Sequence, residues 1–292
     1  MVIAATFFWG SNFNAGHALA GVLPPLTAAS ARFAIAVLVL LAMRALRGAA
    51  ESSLRPADML KLCVLGLIGV FGFNSAFFIA LHTTSSLNAA LIMSLSPLLT
   101  ALLSTQVLGT VLHARQLLGI AIAFVGVTLV VTGGYLAVLH VATGDWWMLF
   151  AVAAWSLYNV LVQKMAGHVP SLQQARWTIT AGACALIVLA VASEPIAMLA
   201  TQTATTLAIV IYMALCGTVL AYIFWLRGVQ NLGPQRASIA FNLVPVFTLL
   251  VNLALGQWPS PVQIAGLLAV LAGVLIASGW QPARRAAVSQ RP

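Results

Sequence analysis

The chain has 292 residues, of which 62% are hydrophobic and 6% charged, and it carries a net charge of +9 with a pI near 10.6. Soluble domains carry roughly 25% charged residues, and the four acids here (Glu51, Asp58, Asp145 and Glu194) cannot solvate a 30.6 kDa globule. Composition therefore excludes a soluble protein and predicts an all-α polytopic membrane protein.

A spanning helix needs about 20 mostly apolar residues. In chain order the sequence predicts ten of them, at about 2–20, 26–46, 59–81, 86–107, 116–138, 146–165, 172–193, 206–227, 236–256 and 261–280. Turn residues punctuate the gaps: Pro24-Pro25, Pro56, Gly144-Asp145, Pro170, Glu194-Pro195, Gly233-Pro234, Pro259 and Pro261. The first span mimics a signal peptide at Ala18-Leu19-Ala20, but it has no basic n-region, and Gly10-Ser11-Asn12 breaks its apolar core. It reads as a retained helix.

Lysine and arginine placement sets the orientation. With the N-terminus cytoplasmic, the inside connections carry Arg44, Arg47, Arg55, Lys61, Arg115, Lys164, Arg227 and Arg236, and the tail adds Arg284, Arg285 and Arg291. The outside connections hold Asp145 and Glu194 and neither Lys nor Arg. Both termini are thus expected in the cytoplasm. The basic residues come as singles and pairs between apolar runs, without a basic face interleaved with aromatics, so nucleic acid is not an expected partner.

Ten of the twelve prolines lie in connections or the tail; Pro97 and Pro245, 148 residues apart, interrupt spans four and nine. The same offset pairs Gly69 with Gly217, Ala89 with Ala237, and Thr100 with Thr248. An offset of 146 pairs Trp9 with Trp155 and Pro24 with Pro170, and one of 147 pairs Gly119 with Gly266 and Gly126-Val127 with Gly273-Val274. Each half then holds five spans, and an odd number makes the second half enter from the opposite side. The expected organisation is two inverted five-helix repeats, 1–138 and 145–280, followed by a basic cytoplasmic tail, 281–292. Such repeats are a transporter architecture, with the substrate site near the midplane between them.

Trp9-Gly10-Ser11-Asn12-Phe13 in span one, Arg32 early in span two, and Ala89 through Pro97 in span four resemble the EamA family of the drug/metabolite transporter superfamily. Along nearly the whole chain the sequence is most similar to its YddG-type exporters of aromatic amino acids. The resemblance implies ten helices in two repeats, a bacterial inner-membrane location and export of aromatic and other hydrophobic amino acids.

Proline removes one helical hydrogen bond and kinks the helix, freeing the carbonyls of Met93 and Phe241 at mid-membrane. Ser94 and Asn242 stand three positions before Pro97 and Pro245. Free backbone acceptors in lipid persist only where protein or water satisfies them. Spans four and nine are therefore expected to face a water-filled cavity and to bend at Pro97 and Pro245, the alternative being that Ser94 and Asn242 merely patch the kinks. Trp9, Asn12, Phe13, Asn74, Phe78, Trp155, Tyr158, Asn159, Tyr222 and Trp225 sit at mid-span, where amides can bond a carboxylate or ammonium and rings can stack on an apolar side chain. As a set they predict an amphiphilic cavity; any one of them could equally be helix packing. Arg32 admits two readings, a contact for a substrate carboxylate or a structural charge bonded to carbonyls or reaching the outer interface; its early position in span two favours the second.

No acid lies in a span interior, and there is no Walker loop, so neither a carboxylate proton relay nor ATP is expected. No paired acids, His-rich cluster or metal-ligand spacing supports an intramembrane enzyme, and no cofactor or metal is expected. Export of hydrophobic cations coupled to protons is the alternative within transport, weakened by the lack of a cavity carboxylate. The glycine series Gly119, Gly126, Gly133 and Ala269-xxx-Gly273 marks spans five and ten as closely packed, as scaffold or, less favoured, as a dimer seam, so the chain is expected as a monomer or homodimer in the lipid bilayer.

Overall fold

The computed structural model describes residues 1–47, 54–109, 111, 113–131, 142–232 and 243–278, and among these there is no strand. The chain runs through α1 (Val2–Leu19), α2 (Pro25–Arg47), α3 (Pro56–Gly66), a π-helical segment Leu67–Gly72, α4 (Phe73–Ala80), α5 (Ser86–Met93), α6 (Ser96–Leu108) and α7 (Ala114–Val131). It continues through α8 (Thr143–Ala166), α9 (Ser171–Ser193), a 3-10 turn Ile196–Thr201, α10 (Ala204–Ala214), a second π-helical segment Leu215–Leu220 and α11 (Ala221–Leu232). The last two helices are α12 (Val244–Ala254) and α13 (Pro261–Ser278).

Among the described residues, six helical runs are long and apolar enough to cross a membrane: Pro25–Ala45, Pro56–Ala80, Ser86–Leu108, Thr143–Ala166, Leu172–Ser193 and Ala204–Trp225. Leu117–Leu129, Val244–Ala254 and Pro261–Gly273 are shorter apolar helices. Helix α1 falls outside both sets because Ser11, Asn12, Asn14 and His17 interrupt its apolar sequence. Large apolar side chains such as Leu38, Leu60, Val188 and Leu268 stay exposed on the helix surfaces, as a lipid-facing exterior requires.

The sequence offsets reappear as helix boundaries. Adding 146 to α2 gives α9, and adding 148 to α3, its π-segment and the start of α4 gives 204–214, 215–220 and 221. Adding 148 to the start of α6 gives that of α12, and adding 147 to α7 gives α13. Even the left-handed glycines that close α6 and follow α12 correspond: Gly109 (φ 69°) and Gly256 (φ 76°), 147 apart, supply the turn that a side chain would strain.

The two sets of helices interlock. Helix α1 packs on α12, where Thr248 Oγ1 donates to the Gly10 carbonyl at 2.9 Å, and α8 packs on α6, where Ser156 Oγ donates to the Ser96 carbonyl at 3.2 Å. Gly10 and Ser156 differ by 146 residues, so each set lends its first helix to the other. Helices α7 and α13 form an antiparallel seam. A β-carbon on Gly126 would meet the Gly266 carbonyl at 2.8 Å, and one on Gly273 would meet Ala123 N at 2.6 Å. The spacing of these glycines is thus spent on an intrachain contact, and Arg115 Nε extends the seam with a 2.8 Å bond to the Ile276 carbonyl.

One end of the molecule is tied by polar contacts. The Glu194 carboxylate accepts from the amides of Leu26 (3.1 Å) and Thr27 (2.6 Å), where free N–H groups and the helix dipole at the start of α2 attract an anion. Asp145 accepts from Thr84 Oγ1 (2.5 Å) and Ala142 N (3.2 Å). Ser86, Asn14 and Asn252 join α5, α1 and α12, and the His17 ring lies 3.0 Å from the Leu81 carbonyl. The acids expected in connections therefore work as helix caps. Arg176, near the start of α9, is buried.

Candidate functional site

Span four is not a smoothly bent helix. Helix α5 stops at Met93, Ser94 and Leu95 form a tight turn, and α6 restarts with Pro97 in its first turn. Pro97 fits there because first-turn amides need no intrahelical acceptor. The Ser94 hydroxyl donates to the Leu91 carbonyl, satisfying one acceptor at the break. Pro245 opens α12 in the same way, and the residues before the two helices share one geometry: Leu95 at φ −72°, ψ −14° and Leu243 at φ −79°, ψ −12°. Asn242 lies outside the described residues.

Met93, at the end of α5, and Val244, at the start of α12, face a cavity of about 570 Å³, its open mouth included. Its lining comes from both sets of helices: Trp9, Asn12 and Phe13 of α1, Arg32 and Phe33 of α2, Phe73, Asn74 and Phe77 of α4, Trp155 of α8 and Tyr222 of α11 complete the wall. The aromatic residues fall into two groups. Trp9 packs on Tyr222 (centroids 6.2 Å) and Trp225 (5.2 Å), while Phe73 packs on Trp155 (5.4 Å) and Phe77 (5.8 Å), and Phe13 meets Phe77 edge to face at 5.1 Å.

The polar groups in this wall are few and deeply buried. Asn12 is 4% exposed and Asn74 3%, and neither Oδ1 has a hydrogen-bond partner. Asn74 Nδ2 is anchored at 2.8 Å on the Val70 carbonyl inside the first π-segment. A π-turn leaves carbonyls offset from the α ladder, and this one fixes the amide so that its oxygen is left over. Arg32 is 6% exposed; its Nε donates to Thr218 Oγ1 (2.8 Å) and its Nη2 reaches the Gly217 carbonyl (3.4 Å), both in the second π-segment. Among the described residues it forms no ion pair; the pairs present join Asp58 to Lys61 and His168 at the opposite end from Glu194.

Of the residues expected at a site, Trp9, Asn12, Phe13, Asn74, Trp155 and Tyr222 gather around the cavity, and Trp225 backs Trp9. Tyr158 stacks behind Trp155 at 5.5 Å and bonds Thr178 and Gln174, one layer outside the wall. Phe78 is packed in the core against Phe77, Ser94 is buried at the helix break, and half-buried Asn159 is not part of the lining. Sequence reasoning passed over Phe33, Phe73, Phe77 and Val244 as lining residues, and it named Met93 only for its freed carbonyl. It also favoured a structural Arg32, and those contacts exist, yet the guanidinium borders the cavity as well.

Residues 1–132 and 142–279 each match the EamA-like transporter family. YyaM of Bacillus subtilis, an uncharacterised transporter, is 34% identical over 282 residues that cover 96% of this chain and 92% of YyaM. A probable terminal-alkyne amino-acid exporter of Streptantibioticus cattleyicolor is 26% identical across 92% of this chain and 89% of its own length. The uncharacterised inner membrane transporter YedA of Escherichia coli K12 is 27% identical across 87% of this chain and 81% of YedA. A protein crystal structure with 20% sequence identity superposes with a TM-score of 0.68 over 94% of each chain, so the fold is one already seen in a solved protein. Membrane-crossing helices, a cavity between two corresponding helix sets and a family match along both sets converge: the chain belongs to the EamA-like transporter family of the drug/metabolite transporter superfamily and is a multi-pass membrane transporter.

Proposed function

We propose that this transporter exports aromatic and other hydrophobic amino acids from the cytoplasm by alternating access. On this reading ten helices form two inverted five-helix repeats, 1–138 and 145–280, with both termini cytoplasmic in a bacterial inner membrane. The carrying observation is the cavity itself: aromatic walls broken by two buried amide oxygens without partners and by one guanidinium. An apolar side chain can stack on the walls while the polar groups take a charged head. Similarity to a probable amino-acid exporter supports the substrate class. A hydrophobic cation fits less well, because Arg32 places positive charge beside the pocket and no carboxylate is among the described lining residues.

Transport needs the cavity to open at either end, and the break before Pro97 and the matching helix start at Pro245 supply two pivots beside it. The ties at the Glu194 end would close that side while the other is open. No carboxylate or histidine is among the described residues lining the cavity, which favours a facilitator or exchanger over a proton-driven pump.

Labelled phenylalanine, threonine and a cationic dye, offered to liposomes holding the purified protein without ATP, test the reading. Saturable phenylalanine flux without a pH gradient is the expected result. Dye movement alone would replace it with drug export, and flux only under an imposed proton gradient would replace the facilitator.

A further inference from the structure

We infer that Arg32 and the amide oxygens of Asn12 and Asn74 form a zwitterion-reading subsite, in which Arg32 takes the substrate carboxylate and the two Oδ1 atoms take its ammonium. The inference rests on the amino-acid reading above and names the groups that would enforce it.

Three observations carry it. A guanidinium has five N–H donors; two of those on Arg32 reach Thr218 and Gly217, and the second at 3.4 Å is long. The remaining donors belong to a buried cation that borders the cavity and has no carboxylate partner among the described residues. Buried charges in a membrane protein are paired or functional, and a fork of parallel N–H groups matches a carboxylate.

Second, Asn12 and Asn74 line the same cavity, and each carries a buried acceptor without a partner. A buried carbonyl oxygen without a donor costs free energy until something donates to it. An ammonium brings three donors and no acceptor, which suits two such oxygens.

Third, the polar trio is positioned by the two π-segments. Asn74 is fixed by the first π-segment, Arg32 by the second, and Asn12 is pressed against Gly217 of the second. Positive and acceptor groups thus sit on frames that correspond at an offset of 148, so a ligand with opposite charges on one carbon can engage both.

Three ligands separate the contributions: phenylalanine, phenethylamine (no carboxylate) and 3-phenylpropionate (no ammonium). Calorimetry on the purified full chain gives each affinity, and flux into phosphatidylethanolamine/phosphatidylglycerol liposomes is followed in parallel. The wild type is expected to bind phenylalanine about tenfold or more tighter than either analogue, the size of one charged hydrogen-bond set. Arg32→Gln should weaken phenylalanine and 3-phenylpropionate by about tenfold or more and leave phenethylamine unchanged or tighter. Asn74→Leu should do the reverse, weakening phenylalanine and phenethylamine while sparing 3-phenylpropionate. The pattern across ligands does not depend on how much protein folds, and Asn74→Leu carries the test if Arg32→Gln cannot be purified.

Equal losses for all three ligands in either variant would mean a structural role only and overturn the inference. Wild-type protein that moves phenylalanine, with an Arg32→Gln variant that still prefers it over phenethylamine as strongly, would sink the Arg32 assignment and leave amino-acid export standing. A wild type that neither binds nor moves phenylalanine would remove both.

Discussion

The side chain of Asn12 is pressed against Gly217 so closely that a β-carbon there would overlap its amide, and Tyr158 is pressed in the same way against Gly69. Asn12 and Tyr158 are 146 residues apart and the glycines 148, so each helix set inserts a side chain into the π-segment of the other. The two contacts differ in what can yield. At Gly217 the colliding atoms are the amide tip, whereas at Gly69 they include the Tyr158 Cβ at 2.9 Å, which the backbone holds. Gly69→Ala should therefore cost about 1–3 kcal/mol of stability and lower the melting temperature in detergent. Gly217→Ala should leave it nearly unchanged while displacing Asn12 and weakening phenylalanine binding. Melting curves beside calorimetry on both variants check the contrast.

Replacing Pro97 by alanine should let the helix grow back across its break, and Pro245→Ala should let α12 extend past its start. We expect phenylalanine affinity to hold and the flux rate to fall by about tenfold, a barrier of about 1.4 kcal/mol. Rate and affinity falling together would point to the cavity rather than the pivots.

Trp9 and Trp155 correspond across the two sets, and each lines the cavity within one of its two aromatic groups. Trp9→Ala and Trp155→Ala should each reduce the preference for phenylalanine over threonine several-fold, since an aromatic pair adds about 0.5–1.5 kcal/mol beyond buried area. Competition of the two amino acids for labelled flux measures the ratio directly.

Burial holds the His82 imidazole below its ordinary value, helped by His17 and opposed by Glu194 and by a backbone bond at Leu23. The packed end thus binds a proton less readily than the opened or unfolded chain, which takes one up as the pH falls below about 6.5. Stability from this group is full above that pH and declines as acid reaches the lower folded value. Wild-type protein should melt lower at pH 5.5 than at pH 7.5, and His82→Gln should shrink the difference. An undiminished difference in the variant would assign the effect to another group.

The internal correspondence was legible because prolines and glycines at fixed offsets mark helix ends and close contacts, features that a sequence displays directly. Trp9, Asn12, Asn74 and Trp155 were legible because a polar or amphipathic side chain at mid-span stands out against alanine, leucine and valine. The π-segments were not, since Leu67–Gly72 and Leu215–Leu220 differ in no obvious way from the α-helices around them. Each inserts extra backbone into its turn and rotates the helix on its C-terminal side relative to the helix on its N-terminal side. That rotation decides which of Phe73, Asn74, Phe77 and Phe78 line the cavity, and it sends Phe78 into the core. Arg32 was underrated for a related reason: its contacts at Gly217 and Thr218 come from a segment 185 residues away, which no local pattern announces.

The seam of α7 and α13 offers a fixed ruler. Gly126 and Gly273 bring backbone against backbone with no side chain able to slide between them, so this pair moves as one body while the rest of the molecule changes shape. Spin labels on the lipid-facing sides of the seam, at Phe124 and Leu268, should report one unchanging distance through the whole cycle. Against that reference, a label near Leu98 or Leu249 would read out how far each broken helix swings, and whether the two swing in turn or together.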